Sequence, residues 1–126
     1  MNDNQLLRFS RQIMLPDFDV VGQEKLLNAR VLLIGLGGLG SPIAMYLGAA
    51  GVGQLILVDN DQVDTSNLQR QIAHREQDIG VNKAHSAAST VKDLNSKTDV
   101  TIIEQRLEGA ELESQIDRAD LVIDAT

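Results

Sequence analysis

A short glycine-rich loop between an apolar run and a helix-forming run constrains this chain more than any other feature. Residues 31–34 form a continuous apolar run, which is typical of a strand buried on both faces of a sheet. The loop has the spacing GxGxxG, with Gly35, Gly37 and Gly40. Residues 38–50 are small and mostly apolar, as in a helix packed closely on a sheet. This order predicts the phosphate-binding start of a nucleotide fold.

The remainder of the chain continues the alternation of strands and helices. Apolar runs at 55–58, 100–103 and 121–123 predict three further strands, and helical patterns at 82–94 and 111–116 separate them. Such alternation predicts an α/β fold, a doubly wound, Rossmann-like parallel sheet with helices on both faces. The expected strand order is 3-2-1-4, with a ligand crevice at the carboxyl ends of strands one and four.

The length of 126 residues suits a single hydrophobic core. Amphipathic patterns at 4–14 and 20–28 predict two helices before the first strand. We therefore expect a helical arm over 1–29 and a nucleotide-binding Rossmann-like domain over 30–126, which the resemblance described below identifies as an ATP-binding one. A fourth strand with a free edge is a poor natural end for a sheet, so we expect that this domain is incomplete and truncated after strand four.

Composition narrows the functional classes. A net charge of -7 argues against nucleic-acid binding, and no apolar run is long enough for a membrane helix. The chain contains no cysteine, and its amino terminus lacks the pattern of a secretory signal, so we expect a cytoplasmic setting. His74 and His85 have no partners at metal-ligand spacing. We read both as surface residues and predict no metal ligands in this chain.

An acidic residue and three donors follow the glycine loop. Asp59 ends the second predicted strand, where a ribose-binding acid is expected, and this leaves both NAD and ATP open. Arg70 and Lys83 suit a triphosphate that gains charge during cleavage, with Asn67 as an uncharged donor. Taken singly, each of these three also suits a solvated surface or a turn.

With these residues in view, the chain resembles the MoeB/ThiF family of adenylyltransferases, within the superfamily of enzymes that activate ubiquitin-like proteins. The resemblance covers all 126 residues. It rests on RFSRQI from Arg8, GLGGLG from Gly35, AGVG from Ala50, DND from Asp59, SNLQRQ from Ser66, Lys83, and DAT from Asp124. The SNLQRQ segment is the most specific of these.

The resemblance implies a reaction and a set of roles. ATP would adenylate the C-terminal glycine of a ubiquitin-like sulfur-carrier protein, MoaD-like or ThiS-like, from molybdopterin or thiamine biosynthesis, forming an acyl-adenylate and pyrophosphate. Arg11, Arg70 and Lys83 would be catalytic, and Arg11 would act in trans across a homodimer. Nucleotide contacts would come from Gly35, Gly37, Gly38, Gly40, Asp59, Asp61, Ser66, Asn67, Leu68, Gln69, Arg70 and Lys83.

The same resemblance places other parts of the enzyme outside these residues. An aspartate that helps to hold Mg²⁺ is expected just beyond Thr126, and a structural zinc is expected only in the missing part. The isolated piece is therefore expected to be inactive or nearly so. Two other functions stay open. An NAD-dependent oxidoreductase would leave Asn67, Arg70 and Lys83 without a role, and a non-catalytic subunit of a two-subunit activating enzyme would not need the complete phosphate set.

Overall fold

The chain is built on a four-stranded parallel sheet. The computed structural model describes residues 1–126. The strands are β1 (Arg30–Ile34), β2 (Gln54–Val58), β3 (Asp99–Ile103) and β4 (Leu121–Asp124). The helices are α1 (Asp3–Arg8), α2 (Ser10–Ile13), α3 (Asp19–Leu27), α4 (Gly40–Ala50), α5 (Lys83–Leu94) and α6 (Gly109–Arg118). The order β3-β2-β1-β4 confirms the predicted Rossmann-like topology. None of the helices has the length and apolarity needed to span a membrane.

The two central strands are buried on both faces, which explains why β1 and β2 are continuous apolar runs. Leu33 and Leu57 point into the larger core, which they share with small residues of α4 and α5. Leu32 and Ile56 point to the opposite face and into a smaller cluster with Leu107. Helix α6 has no buried residue, so this second face is covered more thinly.

The helices before β1 pack against the C-terminal end of α4. The predicted helix over 4–14 forms as α1 and α2, which meet at Phe9. Phe9 is 3% exposed, and a Cβ on Gly51 would lie 2.7 Å from its ring. Gln23 of α3 is fully buried and donates to the Ala50 carbonyl at 3.1 Å. These contacts place the N-terminal helices at the edge of the sheet remote from the glycine loop.

The long connection between β2 and α5 returns the chain to the carboxyl edge of the sheet. It contains two 3₁₀ turns, Thr65–Asn67 and Glu76–Asp78. The N–H of Val63, which is buried, donates to the Val81 carbonyl at 2.8 Å. The two ends of the connection therefore pair with each other immediately before α5 begins.

Candidate functional site

A cavity of about 830 Å³ opens at the carboxyl ends of the strands. This is the edge that the strand order predicts for a ligand, and the volume suits a small-molecule cofactor. Six of the residues expected to contact a nucleotide line it together: Gly35, Gly37, Gly38, Asp59, Asp61 and Lys83. The structure therefore gathers the glycine loop, the predicted ribose acid and a lysine around one space.

The glycine loop is shaped by contacts that exclude a side chain at two positions. Gly35 has φ +97°, and a Cβ there would lie 2.9 Å from the carbonyl carbon of Ala125 at the end of β4. A Cβ on Gly40 would overlap the Gly35 carbonyl oxygen. Gly38, by contrast, faces open space. The loop is therefore folded tightly at its base and stays accessible where it borders the cavity.

Asp59 is fixed at the end of β2 by two backbone N–H groups. Leu36 in the glycine loop donates to one carboxylate oxygen and Asp61 to the other, each at 2.8 Å. A carboxylate has about four lone-pair positions, so it retains acceptor capacity for hydroxyl groups of a ligand. The same side chain thus ties the loop to the sheet and presents an acceptor to the cavity.

Lys83 is the first residue of α5, and it lines the cavity with only 8% of its surface exposed. Its backbone N–H donates to the Asp61 carbonyl at 2.9 Å. Asn82 caps the helix by accepting from the Ala84 N–H at 2.8 Å, and its amide donates to the Asp59 carbonyl at 2.9 Å. These bonds fix the backbone from which the Lys83 side chain extends. Its ammonium group suits an anionic ligand, because hydrogen bonds between ionised groups are the stronger ones.

The polar groups of the turn at residues 64–70 form hydrogen bonds within the turn. The hydroxyl and the N–H of Ser66 donate to Asp64 and hold the pKa of that carboxyl below its usual value. The Asn67 side-chain oxygen accepts from the Asp64 N–H at 2.9 Å, and Arg70 donates to the Ser66 carbonyl at 3.1 Å. Arg11, exposed on α2, is also outside the cavity lining. The roles assigned to Arg11, Ser66, Asn67, Leu68, Gln69 and Arg70 stay predictions, as do those of the residues that line the cavity.

His74 is buried behind the glycine loop, and the expectation that it is a surface residue is wrong. It is 5% exposed, with Nε2 2.7 Å from the Leu36 carbonyl oxygen and Nδ1 2.8 Å from the Ser86 hydroxyl. Burial lowers the pKa of His74. This burial was not predictable, because His74 adjoins a polar run and only the fold reveals that its neighbour Ala73 is buried. His85 is exposed, as predicted.

The DAT segment, residues 124–126 at the end of β4, also lines the cavity. Asp124 accepts from the Thr126 hydroxyl at 2.7 Å and from its N–H at 3.1 Å, which lowers the pKa of Asp124. The sequence did not single out two other parts of the wall, residues 105–107 after β3 and Leu112 on α6. The signal available for residues 105–107 was their position after the carboxyl end of a predicted strand.

Comparison with known proteins gives one consistent result. The model of the ThiF family matches residues 9–126. The chain is 48% identical over 126 residues to the sulfur carrier protein ThiS adenylyltransferase of Escherichia coli K12, covering 100% of this chain and 50% of that protein. It is 44% identical over 126 residues to the molybdopterin-synthase adenylyltransferase of the same organism, covering 100% of this chain and 51% of that protein.

A solved structure shares the fold. The chain superposes on the E. coli tRNA N6-threonylcarbamoyladenosine dehydratase TcdA, solved in complex with ATP, with a TM-score of 0.91 and 26% identity. The match covers 99% of this chain and 51% of TcdA. The chain thus spans about half the length of the curated relatives described above.

Proposed function

The chain belongs to the ThiF family, and on this premise we propose that it forms the ATP-binding part of an adenylyltransferase. Its substrate would be the C-terminal glycine of a ubiquitin-like sulfur-carrier protein of the ThiS or MoaD type. The observation that carries the proposal is the cavity in which the glycine loop, Asp59 and Lys83 meet. The names of two relatives, a ThiS adenylyltransferase and a molybdopterin-synthase adenylyltransferase, support the choice of substrate.

ATP fits the donors and acceptors that this cavity presents. Its phosphates would lie against Gly37 and Gly38, where the loop is open and the start of α4 contributes a partial positive charge. The Asp59 carboxylate would accept from the ribose hydroxyls, and the Lys83 ammonium would bind phosphate oxygens. The chain has no group of three or more His, Cys, Asp or Glu residues arranged to hold a metal ion. Mg²⁺ would be held by the nucleotide phosphates together with the aspartate expected just beyond Thr126.

The proposed reaction is a displacement at the α-phosphate. A carboxylate oxygen of the carrier's terminal glycine forms a bond to the α-phosphorus, the bond from that phosphorus to the bridging oxygen breaks, and pyrophosphate leaves with the electron pair. Negative charge grows on the departing group, so Lys83 and Arg70 would stabilise the transition state more than the ground state. The Arg70 side chain makes one hydrogen bond, to a carbonyl of its own turn, and turning toward a phosphate would exchange this for a bond to an ionised acceptor.

We also propose that a second copy of the chain completes the site. Arg11 lies outside the cavity, so a direct role requires that it approach the nucleotide of another subunit. Near it in sequence, Leu7, Met14 and Val21 are 76%, 77% and 64% exposed. Exposed apolar side chains of this kind are common where a surface is covered by a partner. A homodimer with Arg11 acting in trans accounts for both features.

Titration calorimetry with MgATP and with NAD tests the first step of this proposal. We expect ATP to bind and NAD not to bind. Lys83→Met should weaken ATP binding by about 10- to 100-fold, because hydrogen bonds to charged groups are worth about 1.5–3 kcal/mol. Lys25→Met, at an exposed position on α3, is the control. Preferential binding of NAD, or equal ATP affinity in the two variants, would contradict the assignment.

The second step is tested by ATP–pyrophosphate exchange in the presence of a carrier protein. A version of the chain extended to the length of its relatives should exchange, and the same version with Arg11→Ala should exchange poorly while remaining folded. Strong exchange by the 126-residue chain alone would contradict the expectation that residues beyond Thr126 are required.

A further inference from the structure

We propose that His74 is a positioning residue of the nucleotide site, which holds the glycine loop in its binding conformation by donating from Nε2 to the Leu36 carbonyl. The inference rests on the proposed function, since it gives the loop a nucleotide to bind. None of the roles described above uses His74, although it is one of the most buried titratable groups in the chain.

The partners of the imidazole determine its tautomer. The Leu36 carbonyl oxygen, 2.7 Å from Nε2, can only accept, so Nε2 must carry a hydrogen. The Ser86 hydroxyl, 2.8 Å from Nδ1, can donate or accept. A neutral His74 therefore donates to the glycine loop and accepts from Ser86 on α5, and it links the loop to the helix that begins with Lys83.

The Leu36 peptide groups are held from both directions. The N–H of Leu36 donates to Asp59 at 2.8 Å, while its carbonyl accepts from His74 and, at 3.3 Å, from the Ser41 hydroxyl on α4. Leu36 itself is fully buried. Rotation of these peptides would break contacts with β2, α4 and the 71–74 segment together. The Leu36 carbonyl and the Gly37 N–H belong to one planar peptide, so holding the carbonyl sets the direction of that N–H, and this is how His74 would act on bound phosphate.

The hydrogen bonds around the Ser86 hydroxyl depend on pH, because the number of hydrogens that this group and His74 share changes with the protonation of His74. The Ser86 oxygen also lies 2.9 Å from an Asp78 carboxylate oxygen, but a serine hydroxyl has a single hydrogen to donate. With neutral His74, Nδ1 and the Asp78 carboxylate compete for that hydrogen; with protonated His74, Nδ1–H donates to the Ser86 oxygen and the hydroxyl hydrogen goes to Asp78. The charged groups that act on the ring are Lys83 on α5, Asp78 in the second 3₁₀ turn and Asp59 after β2. Both protonation states keep the donor on Nε2, so the contact with Leu36 persists as the pH falls.

Two substitutions at His74 separate hydrogen bonding from packing. His74→Phe keeps a ring but removes the donor, whereas His74→Gln retains an N–H donor near the position of Nε2. We expect MgATP to bind His74→Phe about three- to tenfold more weakly, the range of one hydrogen bond, and we expect His74→Gln to recover most of the affinity. Titrations are made well below the melting temperature of each variant.

Thr90→Val is the matched control. Thr90 on α5 is buried and donates to the carbonyl of Ala73, next to His74, at 2.5 Å without touching the glycine loop. Its loss should lower stability as much as the loss of the His74 contact while leaving the affinity for MgATP within about twofold. If Thr90→Val and His74→Phe weaken binding equally, or if His74→Gln binds no better than His74→Phe, the positioning role is refuted.

A measurement on the free protein distinguishes this inference from the proposed function. Imidazole ¹⁵N spectra should show His74 as the Nε2–H tautomer at neutral pH, whether or not nucleotide is present. An Nδ1–H tautomer would overturn the role of His74 while leaving ATP binding intact. A wild-type chain that shows the Nε2–H tautomer and binds no MgATP would overturn the proposed function, and the role of His74 with it.

Discussion

Replacing Gly40 with alanine should cost the fold more than any other single methyl group added to the glycine loop. The new Cβ would overlap the carbonyl oxygen of Gly35, a backbone atom that no side-chain rotation can move. Gly35 cannot move away from the new Cβ, because its own Cα already faces the backbone of Ala125 and Thr126. Overpacking costs about 1–3 kcal/mol, and a backbone collision belongs at the upper end. The gain in helix propensity at the start of α4 returns at most about 1 kcal/mol.

The expected net loss is therefore about 2 kcal/mol, which lowers the urea midpoint by about 1 M for m-values near 2 kcal/mol/M. Gly38→Ala is the matched control, because a Cβ at Gly38 meets no atom within 4 Å and its φ is not positive. That variant should unfold at an unchanged or slightly higher urea concentration, because the substitution can raise the free energy of unfolding by up to about 1 kcal/mol. Circular dichroism at 222 nm follows both transitions. Equal midpoints for the two variants would refute the claim that close approach of backbone determines this loop.

Three other changes test separate parts of the structure. Asn82→Ala removes the cap of α5 and should cost about 1–2 kcal/mol in urea unfolding, whereas Ser89→Ala at an exposed position of the same helix should cost less than about 0.5 kcal/mol. His74 has a pKa below its ordinary 6.5, so the unfolded chain binds the proton more readily. The contribution of His74 to the free energy of unfolding should be fully present above pH 6.5 and be lost as the pH drops below it. The free energy of unfolding of His74→Gln should depend less on pH in this range. In extended versions of the chain, mixing Arg11→Ala with Lys83→Met in equal amounts should restore exchange to about a quarter of the wild-type rate, because about half of the dimers are mixed and each mixed dimer contains one intact site of its two; no recovery would argue against action in trans.

The fold was predictable because β1 and β2 carry an unambiguous signal. A strand buried on both faces must be apolar throughout, and the glycine loop and Gly51 mark the two ends of α4. The break at Phe9 was not predictable from the helical pattern alone. That ring turns inward to pack against Gly51, and a contact between residues so far apart in sequence leaves no periodic trace.

The site was predictable where function requires a particular residue type at a particular place. Glycine is needed where Gly35 approaches β4, and an acid after β2 meets the N–H of Leu36, so both positions have a chemical signature. The wall formed by residues 105–107 and Leu112 has no such signature, because it is defined by where α6 packs. The burial of His74 was not predicted, for a related reason. Its partners are a main-chain carbonyl and a serine, and neither marks a histidine as buried.

The contact between α4 and α5 also determines which side of the cavity can adapt to a ligand. A Cβ on Gly48 would lie 2.7 Å from the Val91 side chain, so the two helices have no room to slide past one another. Since α4 follows the glycine loop and α5 begins at Lys83, the phosphate-facing side behaves as one rigid body. Helix α6, with no buried residue, is the element that is free to shift. Nucleotides of different size would therefore be accommodated by movement of α6 and the residues before it, and amide hydrogens should exchange faster in α6 than in α4 or α5.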